Sequence, residues 1–285
     1  SDLKLQEDIY INTIESNNIS AILLIDYFGF LYKENLDFAK KLNKHDIPVI
    51  IDRCHSSLWD TNQLDNFQII DAIIYSFRKT LPVNGGGALL LNDPSNVNVT
   101  RELFYKDLIF LINRTIELII SKLGWPNLYS PVFNRIRNNI TTDKKNYFNE
   151  VKSIPHLLYN QLSNSDDLRE ISAKRIHNFQ YIKKVLNQVN IPLVFNELDD
   201  ENFPQILAAY DESETLCEHL IKSGIGSYFW PGDDLDTHII KNKNLFPNTL
   251  RLNNKIVCKP VHQGIKKNHL RKLKEAIMKF HKKGK

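Results

Sequence analysis

Four short apolar runs, each bounded by polar or glycine residues, constrain this chain more than any other feature. Residues 21–25 (AILLI) lead into the polar turn at 26–29, and residues 49–51 close on Asp52. Residues 72–75 lead into Ser76, and residues 88–91 follow three glycines. Helical spacing over residues 35–43 separates the first two runs. Buried strands alternating with helical segments predict an α/β fold with a mostly parallel sheet. Ligands of open α/β sheets lie beyond the carboxyl ends of the strands, so the polar residues there are the candidates for function.

The second half has a different texture. Residues 101–123 read as an apolar helix stopped by Gly124-Trp125-Pro126, and residues 127–163 are polar without a clear period. A long helix is predicted over 166–189, closed by Asn190-Ile191-Pro192. Strand-like residues 193–195, a mixed region through 210, a helix over 213–222 and a strand over 255–258 follow. The tail from 266 to 285 is an amphipathic helix, with Ile265, Leu270, Leu273, Ile277 and Phe280 along one face.

With 285 residues, 42% of them hydrophobic, the chain has room for a large domain, set here at 1–165, and a smaller α+β domain at 166–285. The net charge of +4, from 37 basic and 33 acidic residues, is modest and its excess sits in the tail, so neither nucleic acid nor membrane is expected as a partner. No apolar run approaches the roughly 18 residues of a membrane span, and the start of the sequence lacks signal-peptide features, which favours the cytoplasm. Cys54, Cys217 and Cys258 are far apart and form no CxxC pair, so reduced thiols and no metal site are expected.

The chemistry gathers in three pieces: Asp52-Arg53-Cys54-His55, Ser76-Phe77-Arg78-Lys79 and Asn84-Gly85-Gly86-Gly87. Lys79 follows Asp52 by 79 − 52 = 27 residues. A strand ending in Asp, a second ending in Ser-x-x-Lys and a glycine-rich entry to a third resemble the DegT/DnrJ/EryC1/StrS sugar aminotransferases, which are fold-type I pyridoxal-phosphate enzymes. That family carries E-D-x-x-[QH] and S-F-x-x-x-K-x-L-x-x-G-x-G-G; here the segments read I-D-R-C-H and S-F-R-K-T-L-P-V-N-G-G-G. The gap from Ser to Lys is shorter by two residues, and Asn84 stands where glycine is usual. The likeness continues in Arg175-Ile176-His177-Asn178-Phe179, in residues 224–232 (GIGSYFWPG) and in residues 259–263 (KPVHQ).

The resemblance implies pyridoxal 5'-phosphate as cofactor, a Schiff base on Lys79, and a keto-sugar, nucleotide-linked, aminated with glutamate as donor. A lysine amine attacks an aldehyde only when neutral, and burial with nearby cations lowers its pKa. Once freed, the same amine can move a proton as general base. Asp52 would pair with the pyridine nitrogen and keep it protonated, making the ring an electron sink. At about 4 Å and an effective dielectric near 20 such a pair is worth roughly 4 kcal/mol, or about three pK units. His55 is implied at the cofactor's 3-hydroxyl and Ser76 at its phosphate. Arg53 and Arg78 stay open between phosphate ligands and structural ion pairs. Tyr228, Trp230 and His262 lie in segments that approach the substrate in this family, or else form an aromatic core with one hydrogen-bonded histidine. Asp26 and Tyr27 could border the substrate.

Relatives carry a long portion ahead of the Asp strand, which supplies the helix N-terminus around the phosphate. The large domain is therefore expected to be N-terminally incomplete here. Family active sites form between two subunits, which implies a homodimer. An alternative is a catalytically incompetent homologue that binds or dimerises. Sugar dehydratases of the family typically replace the lysine with histidine, and Lys79 points away from them.

Overall fold

The computed structural model describes Leu3 and residues 7–31, 33–42, 47–56, 69–80, 86–95, 99–100, 151–152, 165–198, 202–232 and 235–283. The helix expected over 101–123 and the polar stretch expected over 127–163 fall almost wholly outside these residues. Residues 1–92 and 165–285 form one compact unit and residues 93–164 another. In the second unit a two-residue parallel pair joins β5 (Val99–Thr100) to β6 (Val151–Lys152).

Helix α1 (Glu7–Ser16) precedes β1 (Ile22–Ile25), and α2 (Lys33–Leu42) connects it to β2 (Val49–Asp52). Strand β3 (Ala72–Ser76) runs into the single-turn helix α3 (Phe77–Thr80), and β4 (Gly87–Leu91) completes a sheet of order β1-β2-β3-β4. The first three strands are parallel and β4 is antiparallel to β3. One face of this sheet is packed: Ile22, Leu24, Val49, Ile51, Ile73 and Tyr75 meet Phe38, Ala39 and Leu42 of α2. The α2 residues fall at a helical interval and the strand residues alternate, which is why the two surfaces match.

A second apolar cluster holds the C-terminal part. It is built on a sheet of order β7-β9-β8, all antiparallel, comprising β7 (Ile206–Tyr210), β8 (Tyr228–Trp230) and β9 (Ile256–Pro260). Helices α4 (Ser165–Asn187), α5 (Leu216–Lys222) and α8 (Lys267–Lys283) bury Phe179, Ile182, Leu186, Leu216, Leu220, Leu270, Leu273 and Ile277 there. The short helices α6 (Thr237–Lys241) and α7 (Pro247–Leu252) lie between β8 and β9. The tail is thus the amphipathic helix the spacing predicts. Residues 193–195 make only one bridge, Leu193 to Ala209, rather than a strand, while β7 arises in the region read as mixed.

The two clusters are stitched together by the turn after β1. Tyr27–Gly29 is a 3-10 turn whose Phe28 sits in the second cluster, 1% exposed. Gln205 and Phe203 donate backbone hydrogen bonds to Phe28 O (2.8 Å) and Gly29 O (3.0 Å). Gly29 has φ +88°, and a Cβ there would lie 2.0 Å from Phe203 O, so only glycine allows this approach. All three cysteines lie outside any disulfide, with Cys217 and Cys258 buried.

Candidate active site

Asp52 is the last residue of β2 and Ser76 the last of β3; Asp52 pairs with Ile74, so both side chains leave the same face at neighbouring strand ends. Lys79 follows in α3, half-buried. The Cys54 amide donates to Asp52 Oδ1 (2.8 Å), which fixes the carboxylate in a tight local turn. Neither the second Asp52 oxygen nor the Lys79 amine has a hydrogen-bond or ion-pair partner among the described residues. Asp52, Ser76 and Lys79 therefore lie at the carboxyl ends of the two inner strands, β2 and β3.

His55 is placed by a different device. Phe28 adopts φ 63°, and its amide donates to His55 Nδ1 (3.0 Å) while the two rings lie nearly parallel, 10° apart. An accepting Nδ1 leaves the proton on Nε2. Burial, then the charge of Lys79, lowers the imidazole pKa to about 4 against an opposing pull from Asp52. His55, Lys79 and Asp52 are thus within electrostatic reach of one another. Tyr27 adjoins them: burial, Tyr10 and Asp52 together raise its phenol pKa.

Asp26 is a buried, paired carboxylate. It is 1% exposed, ion-paired with Arg53 Nε (2.9 Å) and bonded to Asn35 Nδ2 (2.9 Å). Arg53 is correspondingly a structural ion-pair residue, and the side chain of Arg78 lies outside the described part. The glycine run is explained in part by packing. Ser76 pairs with Gly87, and a Cβ on Gly87 would meet Tyr75 O at 2.4 Å, so β4 lies against β3 only with glycine there. Asn84 and Gly85 are outside the described residues.

Of the three downstream candidates, Trp230 reaches the cluster by direct contact, packing edge-on against Tyr27 (5.4 Å) and Phe28 (5.6 Å). Tyr228 is 45% exposed, and its hydroxyl, tied to Cys258, has a raised pKa caused first by burial. His262 accepts from the Gly264 amide at Nδ1 and lies beside Arg175, whose charge adds to burial in lowering its pKa. Sequence reading gave no role to Phe28, Arg175 or Gln205. Arg175 is 1% exposed and sits on the same helical stripe as Ser172, Phe179 and Ile182. An arginine on a buried stripe is the signal that would have marked it.

No protein-family model matches this sequence, and no curated protein does. Solved structures do. PseC from Helicobacter pylori, an aminotransferase in pseudoaminic acid biosynthesis, superposes with TM-score 0.60 at 16% identity, over 99% of this chain and 73% of its own. DesI, solved with its TDP-sugar product, gives 0.62 at 16% identity, over 100% and 69%. A DegT DnrJ EryC1 StrS aminotransferase from Brucella abortus gives 0.55 at 14%, over 95% and 67%. The chain spans about two thirds to three quarters of these neighbours' length. Its fold is that of the sugar aminotransferases, the fold-type I α/β architecture.

Proposed function

We propose that this chain is a pyridoxal-phosphate-dependent aminotransferase that converts a nucleotide-linked keto-sugar to an amino-sugar with glutamate as donor. One observation carries the reading: a lysine amine and a carboxylate oxygen without partners among the described residues, and a neutral imidazole, stand near adjacent strand ends of an aminotransferase fold.

The donor set fits the cofactor. Bound there, pyridoxal phosphate supplies an electron sink for charge developing on the substrate carbon. Lys79 is the residue for covalent attachment through its amine, and the same amine is the base that moves the proton at the substrate carbon. The other oxygen of Asp52, without a partner among the described residues, would be the partner for the pyridine N–H, because the oxygen held by Cys54 already orients the carboxylate. Nε2–H of His55 is a donor for the 3-hydroxyl oxygen: the Phe28 amide fixes that tautomer, and a pKa of about 4 keeps the ring neutral at neutral pH. Ser76 offers its hydroxyl to the phosphate. The buried hydroxyls of Ser56 and Thr80, next to His55 and Lys79, have no partner among the described residues.

Tyr228, Trp230 and His262 are assigned to the substrate side, with Trp230 supported best by its contact with Tyr27. A cofactor domain at 1–165 and a smaller domain at 166–285 are proposed from the resemblance, with Phe28 and Phe30 of the first packed into the core of the second. Among the described residues no helix is long and apolar enough to cross a membrane, and we place the reaction in the cytoplasm. A homodimer is the proposed assembly.

The test is a panel of nucleotide keto-sugars with glutamate and added pyridoxal phosphate, followed by release of 2-oxoglutarate. Turnover with a keto-sugar and its loss in Lys79→Ala are expected. Activity confined to amino-acid or oxoamine-synthase substrates overturns the sugar assignment.

A further inference from the structure

We propose that Arg175, together with Gln205, is a positioning residue that holds the backbone of Lys79 and Thr80 from the neighbouring core and so aims the Lys79 amine. The proposal rests on the assignment of Lys79 made above.

Helix α3 is four residues long, so its last carbonyls have no partner inside the helix. Two are taken up from outside. Arg175 Nη2 donates to Thr80 O (2.6 Å), and Gln205 Nε2 donates to Lys79 O (3.3 Å). The guanidinium is otherwise engaged by Pro204 O (Nη1, 3.2 Å) and Gln263 Oε1 (Nε, 2.8 Å), and it lies over the Phe203 ring at 5.2 Å. One side chain on α4 therefore fastens the Lys79 turn, the 203–205 segment and the end of the β9 connection.

Stability alone does not explain an arginine here. The side chain is 1% exposed, no carboxylate pairs with it among the described residues, and burial pushes its pKa down to about 10. Taking a cation out of water without a counter-ion is costly, and hydrogen bonds to neutral acceptors offset only part of that cost. What an apolar residue does not supply is a fork of donors for the carbonyls beside Lys79. With both carbonyls held, the Cα–Cβ direction of Lys79 is set by a core rather than by a surface turn.

The test compares the full chain with Arg175→Met, Arg175→Lys and Gln205→Leu. Each protein is incubated with pyridoxal phosphate, where an amine displaces the aldehyde oxygen as water and leaves a C=N bond. Borohydride then reduces that bond, and the label is located by peptide mass mapping. Labelling at Lys79 is read as a ratio to the exposed Lys222 in the same sample, with melting temperature measured alongside. Because misplacement of a reacting group by about 1 Å can cost up to about a hundredfold, a fall of about tenfold or more is expected in Arg175→Met. A lower melting temperature with the fold kept at the labelling temperature, since the buried Thr80 and Pro204 carbonyls lose their donor, partial recovery in Arg175→Lys and a smaller fall in Gln205→Leu are expected with it. Should Arg175→Met not fold, Gln205→Leu carries the test by the same ratio.

Parent-like ratios in folded Arg175→Met and Gln205→Leu overturn the positioning role and leave the Lys79 assignment standing. A parent protein not labelled at Lys79 overturns that assignment, and this proposal with it.

Discussion

Burial lowers the pKa of His55 more than any neighbouring charge does, and a backbone amide donating to Nδ1 is compatible only with a ring unprotonated there. Its folded pKa of about 4 lies below the ordinary 6.5, so between those values the unfolded chain binds the extra proton. Stability therefore rises with pH across that window and is lost as pH falls through it, by at most about 3 kcal/mol for this group. Nitrogen NMR of His55 should report a neutral ring protonated on Nε2 at pH 5.5. A charged ring at that pH would contradict the Phe28 hydrogen bond. For Asp52, the Asp52→Asn variant should retain cofactor while losing about a thousandfold in turnover, since roughly 4 kcal/mol of ring-nitrogen pairing disappears. A rate within threefold of the parent rules Asp52 out as that partner. The strand ends at Asp52 and Ser76 were legible because a polar residue at the end of an apolar run is conspicuous in one dimension. Arg175 was not, since its meaning lies in carbonyls 95 residues away in sequence.

The turn after β1 carries the amide that orients His55 and the ring that Trp230 packs against. Two consecutive left-handed residues, Phe28 and Gly29, shape it. Gly29→Ala must either keep a left-handed φ with a Cβ 2.0 Å from Phe203 O or move the 202–205 segment. A loss of more than about 2 kcal/mol is expected, measured by urea denaturation, with the His55 resonance shifting toward an ordinary titration. An Ala variant as stable as the parent would mean that this approach is looser than drawn. Alternation and helical spacing made most elements legible, but not their directions. Strand β4 returns antiparallel because only residues 77–86 separate it from β3, too few for the crossover of a dozen or more residues that parallel pairing needs. Strand β7 (ILAAY) escaped because its alanines carry little strand preference; the apolar 193–195 segment contributes a single bridge at Ala209 instead.

Across the whole molecule, the two faces of the first sheet are unequal. The side toward α2 is closed, whereas Leu23 (48%), Ile74 (36%) and Leu89 (47%) stay exposed on the other, the same face from which Asp52 and Ser76 emerge. Parallel sheets are normally covered on both faces, and a row of large apolar side chains in water costs about 25 cal/mol per Å² left unburied. Association of two chains over surfaces of this kind would remove that cost and bring further side chains toward the strand ends, in keeping with the proposed homodimer. Light scattering at micromolar concentration is expected to give twice the 33.2 kDa chain mass. Placing a charge in the row should oppose burial of that face without touching the packed one, so Leu89→Lys is expected to shift the mass toward the monomer and leave the melting temperature of the isolated chain nearly unchanged. If Leu89→Lys remains a dimer of unaltered affinity, this face is not where the chains meet; if the parent protein is itself a stable monomer, the homodimer is wrong.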